Sequence, residues 1–127
     1  MNNVVVTGGF DDLKSRHVRF LEEASKFGNV QVLLWADEVV HTLTGKLPKF
    51  PVEERSYMLQ AMRYVSAVTA IANPIDPDAI PAAPGLHPNI WAVDEASASA
   101  WKQAYCAAHG FIRPQQHLHV SQFRCFL

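Results

Sequence analysis

Cysteine is scarce in this chain. Cys106 and Cys125 are the only two in 127 residues, and they stand in no metal-ligand spacing. That excludes a disulfide framework and a zinc cluster, and reduced thiols in the cytoplasm are the expectation. An excess of charge of one sign is missing too. Eleven Lys and Arg face 12 Asp and Glu, a formal net charge of -1. With no basic excess, no nucleic-acid partner is expected. No apolar run approaches the ~20 residues of a membrane span. No charged-then-apolar leader opens the chain, so neither membrane insertion nor secretion is expected. Internal repeats and low-complexity segments are also lacking. What is present is an ordinary core composition, 49% apolar and 18% charged. That is the make-up of a soluble globular protein, and its length suits a single domain over residues 1–127.

Residues 4–17 organise the rest. Val4, Val5 and Val6 form a β-branched run that suits a buried strand. Gly8 and Gly9, with Asp11 close behind, allow a tight turn whose backbone comes near a ligand. Ser15 is a good N-cap and opens an apolar pattern at Val18, Leu21 and Ala24 that suits a helix. Strand, glycine turn and helix N-terminus together make an anion site, because unpaired N–H groups and the helix dipole converge there. Lys14 and His17 flank that point.

Further along, strand and helix signals alternate. A helix is expected over 15–27, ended by Gly28. A buried strand follows over 30–36, then a short helix over 37–43. Residues 45–51 hold two prolines and a glycine and read as a loop carrying Lys46 and Lys49. A helix begins at Val52, with Met58, Leu59, Met62 and Val65 as its core stripe. Strands are expected over 68–72 and 89–93, separated by a proline-rich loop over 73–88. A helix over 97–109 precedes a last short strand starting at Phe111 and Ile112; the tail from Pro114 has no clear pattern. The alternation predicts an α/β fold, a Rossmann-like parallel sheet of about five strands with helices on both faces. Ligands in such sheets bind beyond the carboxyl ends of the strands, where strand order reverses.

Gly8, Phe10, Asp11 and His17 match a signature that resembles the cytidylyltransferase-like nucleotidyltransferases, whose members carry Gly-Thr/Ser-Phe-Asp followed by a His-x-Gly-His box. Lys14 replaces the first histidine of the box and Arg16 its glycine. Lys46 with Lys49, then Glu54-Arg55, then Arg63-Tyr64-Val65 resemble the second half of the pattern. The resemblance covers residues 4–68. In layout it is nearest to the glycerol-3-phosphate cytidylyltransferases. It weakens at the C-terminus, where His119-Val120-Ser121-Gln122-Phe123-Arg124 stands in place of a serine- and threonine-rich motif.

The resemblance implies a nucleotidyl transfer from CTP or ATP, with Mg²⁺, to a small phosphorylated metabolite, with release of pyrophosphate. Such catalysis is positioning plus neutralisation of phosphate charge. His17, Lys14 and Lys46 take the catalytic roles. Gly8, Gly9, Phe10, Asp11, His17, Ser121 and Arg124 bind the nucleotide, and Asp11, Arg55 and Arg63 the substrate. A homodimer is implied, paired near the glycine turn and the Arg63-Tyr64-Val65 end. No protein metal site is expected, since His117 and His119 are two histidines and not a ligand set.

Outside the family context the same residues have plainer readings. His17 is a half-exposed histidine, Lys14 and Arg16 are solvated loop charges, and Arg55 beside Glu53 and Glu54 is a surface ion pair of little weight. Two functional readings therefore stand. One is an enzyme. The alternative is a catalytically impaired protein on the same fold, holding a nucleotide or phosphometabolite without turnover; Lys14, Arg16 and the eroded C-terminal motif favour it.

Overall fold

The computed structural model describes residues 2–72, 76–81, 85–94, 100–111 and 123–126. The valine run becomes β1 (Asn3–Gly8), and the next apolar run becomes β2 (Asn29–Trp35). β3 (Ala67–Ile71) and β4 (Ile90–Asp94) follow. These four strands are parallel, with Val4 opposite both Val30 and Ile90 across the two neighbours of β1. A short fifth strand, β5 (Phe123–Phe126), runs antiparallel to β4. The sheet order is β3-β2-β1-β4-β5.

The expected sheet of about five parallel strands is thus corrected to four, with an antiparallel edge. Phe111 opens no strand; its N–H bonds to the Cys106 carbonyl and closes the preceding helix, while Ile112 lies outside the described residues. The edge strand comes instead from the tail that had shown no pattern.

Side chains alternate across the sheet, as a period of two requires. Val4, Val6, Val30, Val32, Leu34, Ile90 and Ala92 form one face. Leu21 and Ala24 of α1 (Ser15–Ser25) and Leu59 of α3 (Val52–Gln60) cover it. Val5, Leu33, Trp91 and Val93 form the other face, covered by Ile80 and by Cys106 of α4 (Ala100–Ala108). Helices therefore lie on both faces. Burial pushes the Cys106 thiol up to about 12, so it stays protonated and behaves as a small core hydrophobe.

The α3 stripe is shorter than its apolar pattern implied. The helix stops at Gln60, so Met62 and Val65 pack on the core from the turns beyond it. Met58 is 52% exposed and is not core. Between β2 and α3, α2 (Asp37–Thr44) ends on Gly45, whose φ of 80° is the left-handed cap that glycine adopts freely.

Strand order reverses at β1, which has β2 and β3 on one side and β4 on the other. The crevice beyond the carboxyl end of β1 is therefore the topological switch point. Gly8 and Gly9 lie there.

At the opposite end of the sheet, the chain leaves no room for a side chain at residue 28. A Cβ at Gly28 would run into the Asn2 carbonyl oxygen, which accepts the Asn29 N–H at 2.9 Å. Gly28→Ala is expected to cost about 1–3 kcal/mol, in the range of other over-packed positions. Urea denaturation monitored by circular dichroism reads it as a lower midpoint at unchanged m-value.

Candidate functional site

The turn after β1 carries its strain on residues other than glycine. Phe10 has φ 45° and Asp12 has φ 53°. Asp tolerates this left-handed region, but a bulky aromatic rarely sits there, and such outliers concentrate at functional sites. Gly8 serves a different purpose from the expected tight bend. A Cβ there would lie 3.3 Å from the Phe10 ring, which folds back over it. Gly9 has room for a Cβ in ordinary contact with Val40 and Trp35.

α1 begins immediately afterwards. Lys14 is its N-cap residue, contributes no side-chain capping bond, and no acidic residue occupies the first turn. The capping contact comes from the third helical residue. His17 Nδ1 accepts the Lys14 N–H at 2.9 Å. The neutral imidazole then carries its proton on Nε2. Among the described residues no hydrogen bond is made by the N–H groups of Phe10, Ser15 or Arg16. Lys14 and Arg16 are exposed and His17 is half-buried. The result is two open amides at a helix N-terminus and one in the turn before it, with exposed Lys14 and Arg16 beside them, which is the chemistry an anion needs.

The lysine loop is fastened to this turn. Asp11 Oδ2 accepts the Lys49 N–H at 2.6 Å and Oδ1 accepts the Phe50 N–H at 3.0 Å. Lys49 Nζ also lies 3.6 Å from Asp12 Oδ2, a solvent-exposed pair of small weight. Lys46 is exposed on the same loop. Asp11 was expected to touch nucleotide or substrate. Both its carboxylate oxygens are spent on loop amides, so it fastens the loop that carries Lys46 and Lys49 to the turn.

Arg55 is likewise not a surface residue. It is 2% exposed. Its Nε donates to the Phe50 carbonyl, one terminal nitrogen to the carbonyls of Gly9 and Trp35, and the other to Asp37 Oδ1. All the contacts found for this guanidinium are thus to groups of the chain itself. Neither periodicity nor the Glu-Arg pair signalled this; the residues it ties together are scattered along the sequence.

Arg63 is placed away from the site. It precedes β3, whereas the turn follows β1, and parallel strands put these at opposite ends of the sheet. Its guanidinium donates to the Tyr64 hydroxyl, which donates to Glu22; the Tyr64 bond pushes the Arg63 pKa up. It does not share a crevice with Gly9. Arg124 lies in β5 opposite Val93, and Ser121, His117 and His119 lie outside the described residues. No group of three metal-ligating side chains forms among the described residues.

The Asp11 contacts make a prediction. Asp11→Ala frees the Lys49 and Phe50 amides and unfastens the loop. Loss of two charge-assisted bonds at a partly solvated site should cost about 1–3 kcal/mol. Limited trypsin digestion should then cut after Lys46 or Lys49 faster than in the parent, while the melting temperature falls by only a few degrees.

Comparison with known proteins places this geometry. No family model matches the chain. It is 41% identical over 66 residues to the FAD synthase of Pyrococcus horikoshii, a match covering 51% of this chain and 45% of that protein. It is 35% identical over 91 residues to the FAD synthase of Thermococcus kodakarensis, covering 64% and 61%. The FAD synthase of Thermococcus sibiricus is 31% identical over 102 residues, 72% of this chain and 69% of that protein. The chain spans about half the length of the first of these relatives. A solved lipopolysaccharide core biosynthesis protein from Thermoplasma volcanium superimposes with a TM-score of 0.52 at 28% identity, over 55% of this chain and 57% of that one. The resemblance to glycerol-3-phosphate cytidylyltransferase in particular finds no counterpart among these proteins. The extent and identity of the match to the Thermococcus sibiricus protein show that the chain belongs to the family of the archaeal FAD synthases, which are cytidylyltransferase-like nucleotidyltransferases.

Proposed function

We propose that this chain is an adenylyltransferase that joins the AMP part of ATP to the phosphate of flavin mononucleotide. The observation that carries the reading is the turn after β1: open amides of Phe10, Ser15 and Arg16 beside Lys14, His17 and the fastened Lys46 loop, in a chain of this family. A phosphate oxygen of the acceptor attacks the α-phosphorus of ATP. The bond from that phosphorus to the bridging oxygen of the β-phosphate breaks, and pyrophosphate leaves. No covalent enzyme intermediate is required. The protein's work is to hold the triphosphate in line and to offset its growing negative charge. His17 Nε2–H donates to a phosphate oxygen. Lys14 and Lys46 supply point charges, more flexible than a second imidazole. Magnesium enters with ATP as part of the substrate, held by phosphate oxygens, as it is in many sites that offer it few protein ligands. ATP replaces CTP as the preferred donor because the relatives are FAD synthases.

Binding without turnover is the second reading. It is favoured by Lys14, an exposed ammonium where the family signature has an imidazole, and by Arg16 where it has glycine. No described helix is long and apolar enough to cross a membrane. A cytoplasmic homodimer remains part of the proposal, and sedimentation of a monomer at micromolar concentration counts against the pairing.

Incubation with ATP or CTP, Mg²⁺ and flavin mononucleotide separates the readings. The expected outcome is pyrophosphate release and FAD formation with ATP, and neither with CTP. A panel of phosphorylated polyols and sugars serves as the control for other acceptors. A rise in melting temperature with ATP, and no pyrophosphate with any acceptor, selects binding without turnover. Lys14→His is expected to raise turnover by about tenfold or more, the scale of one well-placed phosphate contact. An unchanged rate with ATP still bound places the limitation elsewhere.

A further inference from the structure

We infer that Arg55 is the positioning residue of the phosphate-binding turn: its buried guanidinium fixes the Gly9 carbonyl and the Phe50 carbonyl together, and so aims the Phe10 amide and the lysine loop at one ligand. The functional half of this inference rests on the polyphosphate reading above; the structural half does not.

The geometry runs through four segments. Arg55 lies in the first turns of α3 and is buried. It donates at 2.7 Å to Gly9 O in the β1–α1 turn, at 2.7 Å to Trp35 O at the end of β2, and at 2.9 Å to Phe50 O in the lysine loop. Asp37 Oδ1, at the start of α2, accepts at 2.6 Å. A trans peptide is planar, with its C=O and N–H pointing in opposite directions. Holding Gly9 O against Arg55 therefore turns the Phe10 N–H the other way. That is one of the amides without a partner among the described residues. The left-handed φ of 45° at Phe10 sits on the next bond of the same peptide, so the contact also opposes relaxation of that strain. At Phe50, Arg55 takes the carbonyl while Asp11 takes the N–H. One loop residue is thus gripped on both sides, and Lys46 and Lys49 are carried with it.

The role needs a planar fork. A lysine brings the same charge but a single nitrogen, unable to span three carbonyls and a carboxylate from one position. A residue serving only as buried charge would be replaced by lysine with little local effect. Arg55→Lys tests this in the full chain by hydrogen exchange of individual amides. The expected result is at least tenfold faster exchange of the Lys49 and Phe50 amides, with the Val32 and Leu33 amides of β2 slowed or quickened no more than the global stability change allows. The same variant should raise the KM for ATP at least tenfold, with a smaller change in kcat, because the loop cations meet the triphosphate already in the ground state. Equal exchange at Lys49 and Phe50 in parent and variant overturns the inference, whatever the activity. Faster exchange in a protein whose parent neither binds nor turns over ATP keeps the clamp and removes the adenylyltransferase reading. Should Arg55→Lys fail to fold, Asp37→Ala decides. The Asp37 side chain is 37% exposed; its loss leaves the three carbonyl acceptors but removes the counter-charge that pins the fork, so the guanidinium grips them less firmly. The Lys49 and Phe50 amides of this variant should exchange severalfold faster, and no change there overturns the inference.

Discussion

A buried guanidinium is the contact on which the working end of this molecule depends. Removing a charge from water is costly unless hydrogen bonds and a counter-charge replace the lost hydration. Arg55 meets that condition with three carbonyl oxygens and one carboxylate. The carbonyls come from segments that no regular hydrogen-bond ladder joins at that point: a turn, a strand end and a loop. Each would otherwise be free to move past the others. The burial cost couples the four contacts, since removing one acceptor leaves the others to hold an under-compensated charge. Four connections are therefore set by one side chain rather than by four independent local preferences.

The electrostatics of the turn follow from what the acids are doing. Asp11 and Asp12 stand among Lys14, Arg16, His17, Lys46 and Lys49. Left unpartnered, two carboxylates in that position would repel a phosphate. Asp11 instead has both oxygens on backbone amides, and Asp12 faces Lys49. Their charge is directed at the loop, while Lys14, Arg16 and Lys46 stay exposed to solvent. The acids thus act as fasteners for cations. This is the same division of labour that Arg55 performs with the opposite sign.

The fold was largely legible because it rests on periodicity. Val4 to Val6, Val30 to Leu34 and Ile90 to Val93 alternate faces as written, and helices cover both. The edge strand was not legible. Phe123–Phe126 is stabilised by pairing with β4 rather than by a pattern of its own, and pairing with a distant segment leaves no local mark. The core stripe of α3 failed for a related reason. Met58 has helical spacing with Met62, but the helix ends at Gln60 and turns the chain before the stripe can complete a face. At the site, the glycines announced a turn, yet the left-handed residues proved to be Phe10 and Asp12. Tertiary bonds from Arg55 and Asp11 hold that conformation, and propensity carries no information about them. Arg55 and Arg63 looked alike in sequence. Parallel topology separates them, because one follows a loop at the carboxyl ends of the strands and the other precedes β3.

The change at residue 14 has a narrower effect than a lost catalytic histidine first implies. His17 Nδ1 is held by the Lys14 N–H, a main-chain group present whatever the side chain. The contact to the main chain is therefore kept at residue 14 whichever side chain stands there, and the His17 ring packs edge-on against Phe10. What changes is one of two cationic or donor side chains at the helix start. An exposed lysine there keeps the charge and loses the fixed direction. A polyphosphate is a diffuse, multiply charged ligand, so its binding is governed more by charge and open amides than by the angle of one donor. In-line transfer depends on that angle far more strongly. Under the proposed adenylyl transfer, the change at residue 14 would therefore act on the rate of transfer, while recognition of a triphosphate would rest on the turn, its amides and the clamp beneath them.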